Sequence, residues 1–275
     1  MKALPLKHRP QGLDQVIGQA PIVAALREAF AAGRIPQAIL LTGPSGVGKT
    51  TLARIIAARL AADVLQVDAT AYNGVAEMRE LVTRIRYRPL ARERKAVILE
   101  EAHGLSAQAW QTLLLPLEEP PAWVHWLLCT TEPAKVPPTV ATRCHRYSLR
   151  PVARAVLLGH LRHIAQVEGL RIADAVLELC AQQAKGSVRQ ALTNVETCHS
   201  CHGDVRAARR LLLAPVEAAA PTRKNGTGDL LEMVRRGLTR DQMADALHVD
   251  RTTIWRRLAV LVDSGTITKA DIRRG

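Results

Sequence analysis

The chain has 275 residues, of which 48% are apolar, and a formal net charge of +13 at pH 7. This length fits one large domain or two to three modest ones, and no apolar run is long enough to span a membrane. Five unevenly spaced cysteines argue against a disulfide framework, and the first ten residues lack the apolar stretch of a secretory signal. The composition predicts a cytoplasmic protein, and the basic charge favours a polyanionic partner, nucleic acid first.

The first periodic segment predicts a helix near 21–32, which Pro21 suits as a first residue and Gly33 ends. The apolar run 38–42 then predicts a strand, and the sequence GPSGVGKT follows it directly at 43–50. The residues after this sequence read as a helix.

The segment 43–50 has the pattern G-x-x-x-x-G-K-[ST] of a phosphate-binding loop, between a strand and a helix as that loop requires. Glycines let the backbone fold so tightly that its N–H groups point at phosphate oxygens, and the positive end of the next helix adds to the attraction. Lys49 is expected to reach the β- and γ-phosphates, and the Thr50 hydroxyl to join the Mg²⁺ shell. The predicted nucleotide-binding residues of this segment are Gly43, Pro44, Ser45, Gly46, Val47, Gly48, Lys49, Thr50 and Thr51.

Residues 64–68 predict a second strand, and 74–87 predict a helix with one apolar face. The other face of that helix carries several arginines, and further basic residues follow as far as Lys95. Such a run is either a solvated face or a contact to the DNA backbone, and we select Arg84 and Arg86 as candidate DNA contacts.

An uninterrupted apolar strand over 96–99, of the kind buried in a parallel sheet, leads directly into Glu100 and Glu101. Downstream of a phosphate-binding loop, acidic residues at this point orient Mg²⁺ and polarise the attacking water. We assign Glu100 to the metal shell and Glu101 to the water. The predicted ligands are therefore ATP and Mg²⁺.

A helix predicted over 106–115 is followed by a sharp stop at 117–121, and a strand over 123–129 follows in turn. That strand ends in a polar pair that includes Thr131, at the sheet edge where ligands bind in open α/β folds. The alternation of strands and helices around a phosphate-binding loop predicts a parallel α/β sheet.

From Pro151 the pattern is helical only, and residues 214–228 have the composition of a linker. The candidate helices are 153–168, 173–184, 187–200 and 204–213. The predicted domains are an α/β nucleotide-binding domain at 1–150, a helical lid at 151–214, a linker at 215–228 and a small all-α domain at 229–275.

The last domain has a short helix, a short turn and a helix with a polar, basic face, which favours a helix-turn-helix over a simple helical bundle. Thr239 can cap its second helix, and the third helix is predicted to bury Ile254, Leu258 and Leu261. Residues 265–269 are placed to begin a wing. The candidate DNA contacts in this domain are Thr252, Thr253, Trp255 and Arg256.

Together these motifs resemble the clamp-loader ATPases of the AAA+ superfamily, and most closely the gamma/tau subunits of bacterial DNA polymerase III, over about residues 7–214. The segments that carry the resemblance are Arg9-Pro10 with Val16-Ile17-Gly18-Gln19, Leu117–Pro121 with Thr130-Thr131, Thr142-Arg143-Cys144 and Gly186-Ser187-Val188-Arg189. In that order, these segments are similar to the family's adenine-side segment, its first sensor region, its Ser-Arg-Cys motif and its second sensor.

The resemblance implies an ATPase of DNA replication. It implies that Arg9, Val16 and Ile17 lie on the adenine side of ATP, that Arg143 reaches the ATP of a neighbouring subunit and that Arg189 contacts the γ-phosphate. Its implied partners are DNA, other AAA+ subunits in an open ring, a sliding clamp and a polymerase. Together with Thr131, Lys49 and Glu101, the two arginines complete the predicted catalytic set.

The chain departs from the family pattern in three places. Glu100 stands where the family usually has Asp, the four-cysteine zinc module after the loop helix is missing, and a helix-turn-helix replaces the oligomerising collar. Cys198 and Cys201 lack the second ligand pair that a recognised metal site requires. Two other functions stay open: a branch-migration motor resembling the RuvB helicase, and a DNA-binding regulator switched by ATP with little turnover.

Overall fold

The computed structural model of the protein describes residues 3–89, 92–199 and 204–213, and single positions in the remainder, namely 233, 234, 238, 239, 242, 243, 254, 258 and 261. The chain divides into two compact units, Met1–Leu212 and Leu213–Gly275. Over the residues described, no helix has both the length and the apolar character needed to cross a membrane.

A five-stranded sheet forms the centre of the first unit, and all of its paired strands run parallel. The strands are β1 (Ala38–Thr42), β2 (Asp63–Asp68), β3 (Lys95–Glu100), β4 (Val124–Thr130) and β5 (His145–Ser148). Their order in the sheet is β2-β3-β4-β1-β5. The carboxyl ends of β1, β3 and β4 therefore meet at one edge, in the parallel α/β arrangement that the sequence predicts.

Helices cover both faces of this sheet. In chain order the helices of the first 150 residues are α1 (Leu4–Lys7), α2 (Ala20–Ala31), α3 (Lys49–Arg59), α4 (Val75–Arg86), α5 (Ala107–Glu118) and α6 (Pro138–Ala141). Successive strand residues point to opposite faces. Leu40 and Leu128 accordingly pack in the core that contains α4 and α5, whereas Ile39 and Leu127 pack in the core that contains α2 and α3.

The lid is purely helical, as predicted. Its helices are α7 (Arg154–Val167), α8 (Asp174–Gln183), α9 (Val188–Cys198) and α10 (Val205–Leu213). Buried leucines and valines on α7, α8 and α9 form their own hydrophobic core, and Leu4 of α1 packs into it. Lys7 and His8 both contact Glu168 of the lid, so the amino-terminal segment is tied to the lid by charge as well as by packing.

Three local features differ from the sequence prediction. Helix α5 continues through Pro116 to Glu118, although an interior proline removes the hydrogen bond to the carbonyl four residues earlier. The Pro116 carbonyl accepts a hydrogen bond from Trp126 Nε1 of β4 at 3.0 Å. The prolines at 120–121 then stop the helix. Neither α1 nor β5 was predicted, since four-residue elements of mixed polarity carry no periodic signal.

In the second unit only single positions are described. Val234, Met243, Ile254, Leu258 and Leu261 are helical and buried. The N–H of Gln242 donates to Thr239 Oγ1, while the N–H of Thr239 donates to Gln242 Oε1, which is a capping box. The predicted cap at Thr239 and the predicted burial of Ile254, Leu258 and Leu261 are therefore observed, whereas the helix-turn-helix stays a prediction.

Candidate active site

The loop between β1 and α3 forms the floor of the site. Gly43 and Gly48 have φ values of +143° and +110°, which disfavour residues with a Cβ, and Gly48 precedes the first turn of α3. The Lys49 ammonium is buried and donates to the carbonyls of Gly43 and Pro44 at 2.8 and 2.9 Å. Burial is the main cause that lowers the pKa of Lys49, while nearby Glu101 opposes the shift.

Acidic and hydroxyl side chains converge where β3 and β4 end. Thr131 Oγ1 donates to Glu101 Oε2 across 3.0 Å, so the residue after β4 holds the residue after β3. Glu101 itself has a left-handed backbone, with φ of +44°. Glu100 accepts a hydrogen bond from Gln66 of β2, whose amide oxygen in turn accepts two from Arg54 of α3. Both carboxylates are therefore oriented by neighbours.

Arginines from the amino-terminal segment, from α3 and from the lid lie close together at the site. The Arg189 N–H donates to the Gly46 carbonyl at 3.3 Å, which joins α9 to the phosphate-binding loop. Burial, followed by the charges of Arg54 and Arg189, lowers the pKa of Arg9, whereas Glu100 raises it. Arg9, Arg54 and Arg189 thus concentrate positive charge beside Glu100, which suits a polyphosphate ligand.

One cavity brings most of the predicted site together. Its lining includes the predicted residues Arg9, Val16, Ile17, Ser45, Gly46, Val47, Gly48, Lys49, Thr50, Thr51, Glu100, Glu101 and Arg189. Gly43, Pro44 and Thr131 do not line it, but they hydrogen-bond to Lys49 and Glu101, which do. The cavity therefore lies between the phosphate-binding loop, the ends of the strands and the lid.

Arg143 lies away from this cavity. Its guanidinium donates from Nη2 and Nε to Glu118 Oε2 at 2.7 and 3.1 Å, and from Nη1 to the Thr139 carbonyl at 2.7 Å. Its side chain is 30% exposed. The structure therefore does not bring Arg143 to the nucleotide cavity of its own chain.

The basic helix α4 exposes Arg84 and Arg86, while Met78, Leu81 and Ile85 are buried. Lys95 does not belong to this exposed surface. It is buried and donates to the carbonyls of Arg84 and Tyr87, because the last carbonyls of a helix need partners outside the helix.

The remaining candidates fall partly outside the described residues. Thr252, Thr253, Trp255 and Arg256 lie there, and so does Cys201. Cys198 is buried in the lid core. Over the part of the chain that is described, no group of three or more His, Cys, Asp or Glu residues is arranged to hold a metal ion.

Several residues of the site were not predicted from the sequence. His8, His160 and Leu192 line the cavity from the amino-terminal segment and the lid, and single residues on helices carry no motif. Gln66 and His103 contact the two carboxylates. For His103, the only indication in the sequence of a place in the site is that it follows Glu101 by two positions.

The sequence of the chain is similar to those of bacterial DNA polymerase III subunits. Residues 63–153 match the family described as DNA polymerase III, delta subunit. The chain is 32% identical over 221 residues to DNA polymerase III subunit tau of Bacillus subtilis, and 33% identical over 220 residues to subunit gamma of Buchnera aphidicola from Schizaphis graminum. These alignments cover 72% and 71% of this chain but 39% and 60% of the relatives, so the chain spans less than two thirds of their length.

The fold of this chain is similar to that of solved RuvB structures. The Holliday junction branch migration motor RuvB of Thermotoga maritima aligns with a TM-score of 0.61 over 94% of this chain and 91% of its own, at 21% identity. A point mutant of the same RuvB aligns with a TM-score of 0.62 over 94% of this chain and 92% of its own. At this identity the likeness establishes the architecture alone. The chain is therefore a homologue of the bacterial DNA polymerase III tau and gamma subunits, and it has an AAA+ fold.

Proposed function

We propose that this chain is a clamp-loader-type ATPase subunit that binds and hydrolyses ATP to drive assembly on DNA. One observation carries the proposal: a single cavity is lined by the phosphate-binding loop, by Glu100 and Glu101 and by Arg189 of the lid. The identity to tau and gamma subunits over about seven tenths of the chain supports it. A cytoplasmic location belongs to the same proposal.

In this proposal the backbone N–H groups of 43–50 and the Lys49 ammonium hold the phosphates of ATP. Glu101 polarises a water and accepts one of its protons while the water oxygen bonds to the γ-phosphorus. The bond between that phosphorus and the β–γ bridging oxygen breaks, which leaves ADP and inorganic phosphate. Thr131 holds the Glu101 carboxylate, and Arg189 contacts the γ-phosphate from the lid. The position of the lid then follows the nucleotide state.

The residues assigned to the metal fit Mg²⁺. Thr50 and Glu100 both line the cavity, and hydroxyl and carboxylate oxygens are ligands that this ion prefers. When bound, Mg²⁺ neutralises charge on the β- and γ-phosphates. The hydrogen bond from Gln66 orients the Glu100 side chain, which is one methylene longer than the aspartate usual at this position in the family.

The proposed assembly involves two further surfaces. Arg143 is proposed to reach the nucleotide of a neighbouring AAA+ subunit. Arg84 and Arg86 are exposed on α4 and are proposed to contact the DNA backbone. A sliding clamp and a polymerase are the proposed protein partners, by analogy with the relatives' role in DNA polymerase III.

The proposed domains are those of the sequence prediction: 1–150, 151–214, a linker at 215–228 and a helix-turn-helix at 229–275. In the last of these, Thr252, Thr253, Trp255 and Arg256 are proposed to contact DNA. Burial of Ile254, Leu258 and Leu261, which are spaced as on one face of a helix, supports this domain.

A branch-migration motor is the second candidate, because the fold of RuvB matches this chain over 94% of its length. Arg143, within a Thr-Arg-Cys segment that resembles the family's Ser-Arg-Cys motif, favours the clamp loader. Unwinding of four-way junctions would favour the motor.

The test is steady-state ATP hydrolysis by the full chain, alone and with primed DNA plus a sliding clamp. We expect stimulation by DNA and clamp, loss of turnover in Glu101→Gln with ATP binding retained, and loss of both in Lys49→Ala. The double variant Arg84→Ala/Arg86→Ala is expected to lose most of the stimulation by DNA. Tight ATP binding without turnover under any condition would contradict the clamp loader and favour an ATP-switched DNA-binding regulator.

A further inference from the structure

His103 lies in a short turn that the site's catalytic assignment does not use. The turn Ala102–Gly104 follows Glu101 directly and is closed by the Gly104 N–H, which donates to the Glu101 carbonyl at 2.8 Å. The imidazole is only 15% exposed. Its Nδ1 lies 3.1 Å from Thr130 Oγ1 and 3.5 Å from Glu101 Oε2, on the side that faces the ends of β3 and β4.

The other ring nitrogen has an anchor of its own. His103 Nε2 lies 3.2 Å from Glu132 Oε1, and Glu132 Oε2 pairs with Lys135 at 2.9 Å. The Glu132 N–H donates to Thr130 Oγ1 at 3.0 Å. The hydrogen bond from Lys135 is the largest cause that lowers the pKa of Glu132, followed by the charges of Lys135 and His103. The ring is thus held between two carboxylates.

Glu101 needs such a restraint. Its side chain has three rotatable bonds and is 39% exposed. Among the hydrogen bonds and ion pairs of the described residues, its carboxylate contacts Thr131 and His103 alone, and both through Oε2. A carboxylate that activates water must be held within about half an ångström of its productive position.

We propose that His103 is a positioning residue that holds the water-activating carboxylate of Glu101 through Nδ1, while Glu132 fixes the plane of the ring through Nε2. The inference rests on the proposed ATPase function and adds a residue to that site. His103 does not line the nucleotide cavity, so its effect falls on turnover rather than on ATP binding.

The two ring nitrogens can be tested separately. The amide nitrogen of His103→Asn takes the place of Nδ1, whereas that of His103→Gln takes the place of Nε2. His145 is exposed at the start of β5, at the opposite edge of the sheet, so His145→Asn is the matched control. Turnover number, KM for ATP and thermal unfolding are measured for the full chain with each variant.

We expect His103→Ala to lower kcat about 10-fold with KM within about 2-fold, because residues that orient a catalytic group are typically worth about 10- to 100-fold. His103→Asn is expected to recover most of kcat, His103→Gln little of it, and His145→Asn to behave as the natural chain.

Three results would overturn the inference. Equal losses in Ala, Asn and Gln variants would assign His103 to packing of the turn. Unchanged kcat in His103→Ala, with turnover present in the natural chain, would remove the residue from catalysis and leave the ATPase proposal intact. No turnover in the natural chain under any condition would overturn the inference together with the proposed function.

Discussion

The backbone N–H of Arg189 donates to the carbonyl of Gly46, and this bond joins the first turn of a lid helix to the middle of the phosphate-binding loop. The contact is close enough that a Cβ on Gly46 would lie 2.1 Å from Ser187 Oγ and 3.2 Å from Arg189 Cβ. Lid and loop therefore meet without space for a side chain at this position.

Substitution of Gly46 is expected to weaken nucleotide binding. Gly46→Ala places a Cβ on a residue with φ of +75° and displaces Ser187, whose hydroxyl caps α9 by accepting from the Gln190 N–H. Because ATP binding requires this loop conformation, strain of about 1–2 kcal/mol that the free loop relieves by moving is restored on binding. It corresponds to roughly a 10-fold weaker affinity for ATP, measured by titration with a fluorescent ATP analogue.

The control for that variant is Gly159→Ala in α7. A Cβ there meets nothing within 4 Å, and the residue is exposed in the middle of a helix. This change should raise stability by about 0.4–1 kcal/mol and leave ATP affinity unchanged. Equal ATP affinities for Gly46→Ala and the natural chain would show that the loop tolerates displacement of Ser187.

Arg143 is expected to act between subunits. Arg143→Ala should retain ATP binding within about 3-fold but lower the turnover of the assembled protein by at least about 10³-fold, the lower end of what such arginines contribute. Glu118→Gln, which keeps the shape of the partner and removes its charge, should have a much smaller effect.

Mixing two inactive variants tests this directly. In an assembly of Arg143→Ala with Glu101→Gln subunits, some sites combine an intact Glu101 with a neighbour's intact Arg143. Turnover should therefore reappear on mixing. A mixture as inactive as either variant alone would place the action of Arg143 within its own subunit.

His125 is expected to make stability depend on pH. It is buried on β4, its Nδ1 has no hydrogen-bond partner within the described structure, and burial, aided by the charge of Arg94, lowers its pKa from 6.5 to about 4. Between these two values the unfolded chain binds the extra proton. The contribution of His125 is thus fully present above pH 6.5 and is lost as the pH falls towards 4, by roughly 3 kcal/mol at most.

Urea unfolding followed by tryptophan fluorescence between about pH 7 and 4.5 measures this effect. His125→Leu should flatten the dependence of the free energy of unfolding on pH, whereas His145→Leu, at an exposed position, should leave it as in the natural chain. Identical slopes for His125→Leu and the natural chain would mean that other groups account for the acid sensitivity.

Most of the fold follows from periodicity and from one motif. The strands at β1, β3 and β4 are nearly continuous apolar runs, and the lid helices are observed within about two residues of their predicted ends. The phosphate-binding loop carries its own spacing rule, so its residues could be selected from the sequence. These features are local, and local patterns are what a single sequence records.

The remainder depends on contacts between distant segments. Lys95 belongs to a basic run in the sequence, yet it is buried because it satisfies carbonyls at the end of α4. The partner of Arg143 is Glu118, 25 residues away, and no spacing rule joins them. Similarly, Gln66 reaches Glu100 only because β2 and β3 are neighbours in the sheet.

The position of Lys95 has a thermodynamic consequence. Lys95, the first residue of the six-residue strand β3, hydrogen-bonds to the last turn of α4. Glu100 is the last residue of the same strand, and Glu101 follows it. A buried strand of this length spans about 20 Å and bends little. If DNA binds α4 as proposed and shifts this helix, Lys95 and the rest of β3 are the direct connection between that helix and Glu100 and Glu101. Linkage then requires that the nucleotide change the affinity for DNA by the same factor by which DNA changes the affinity for the nucleotide.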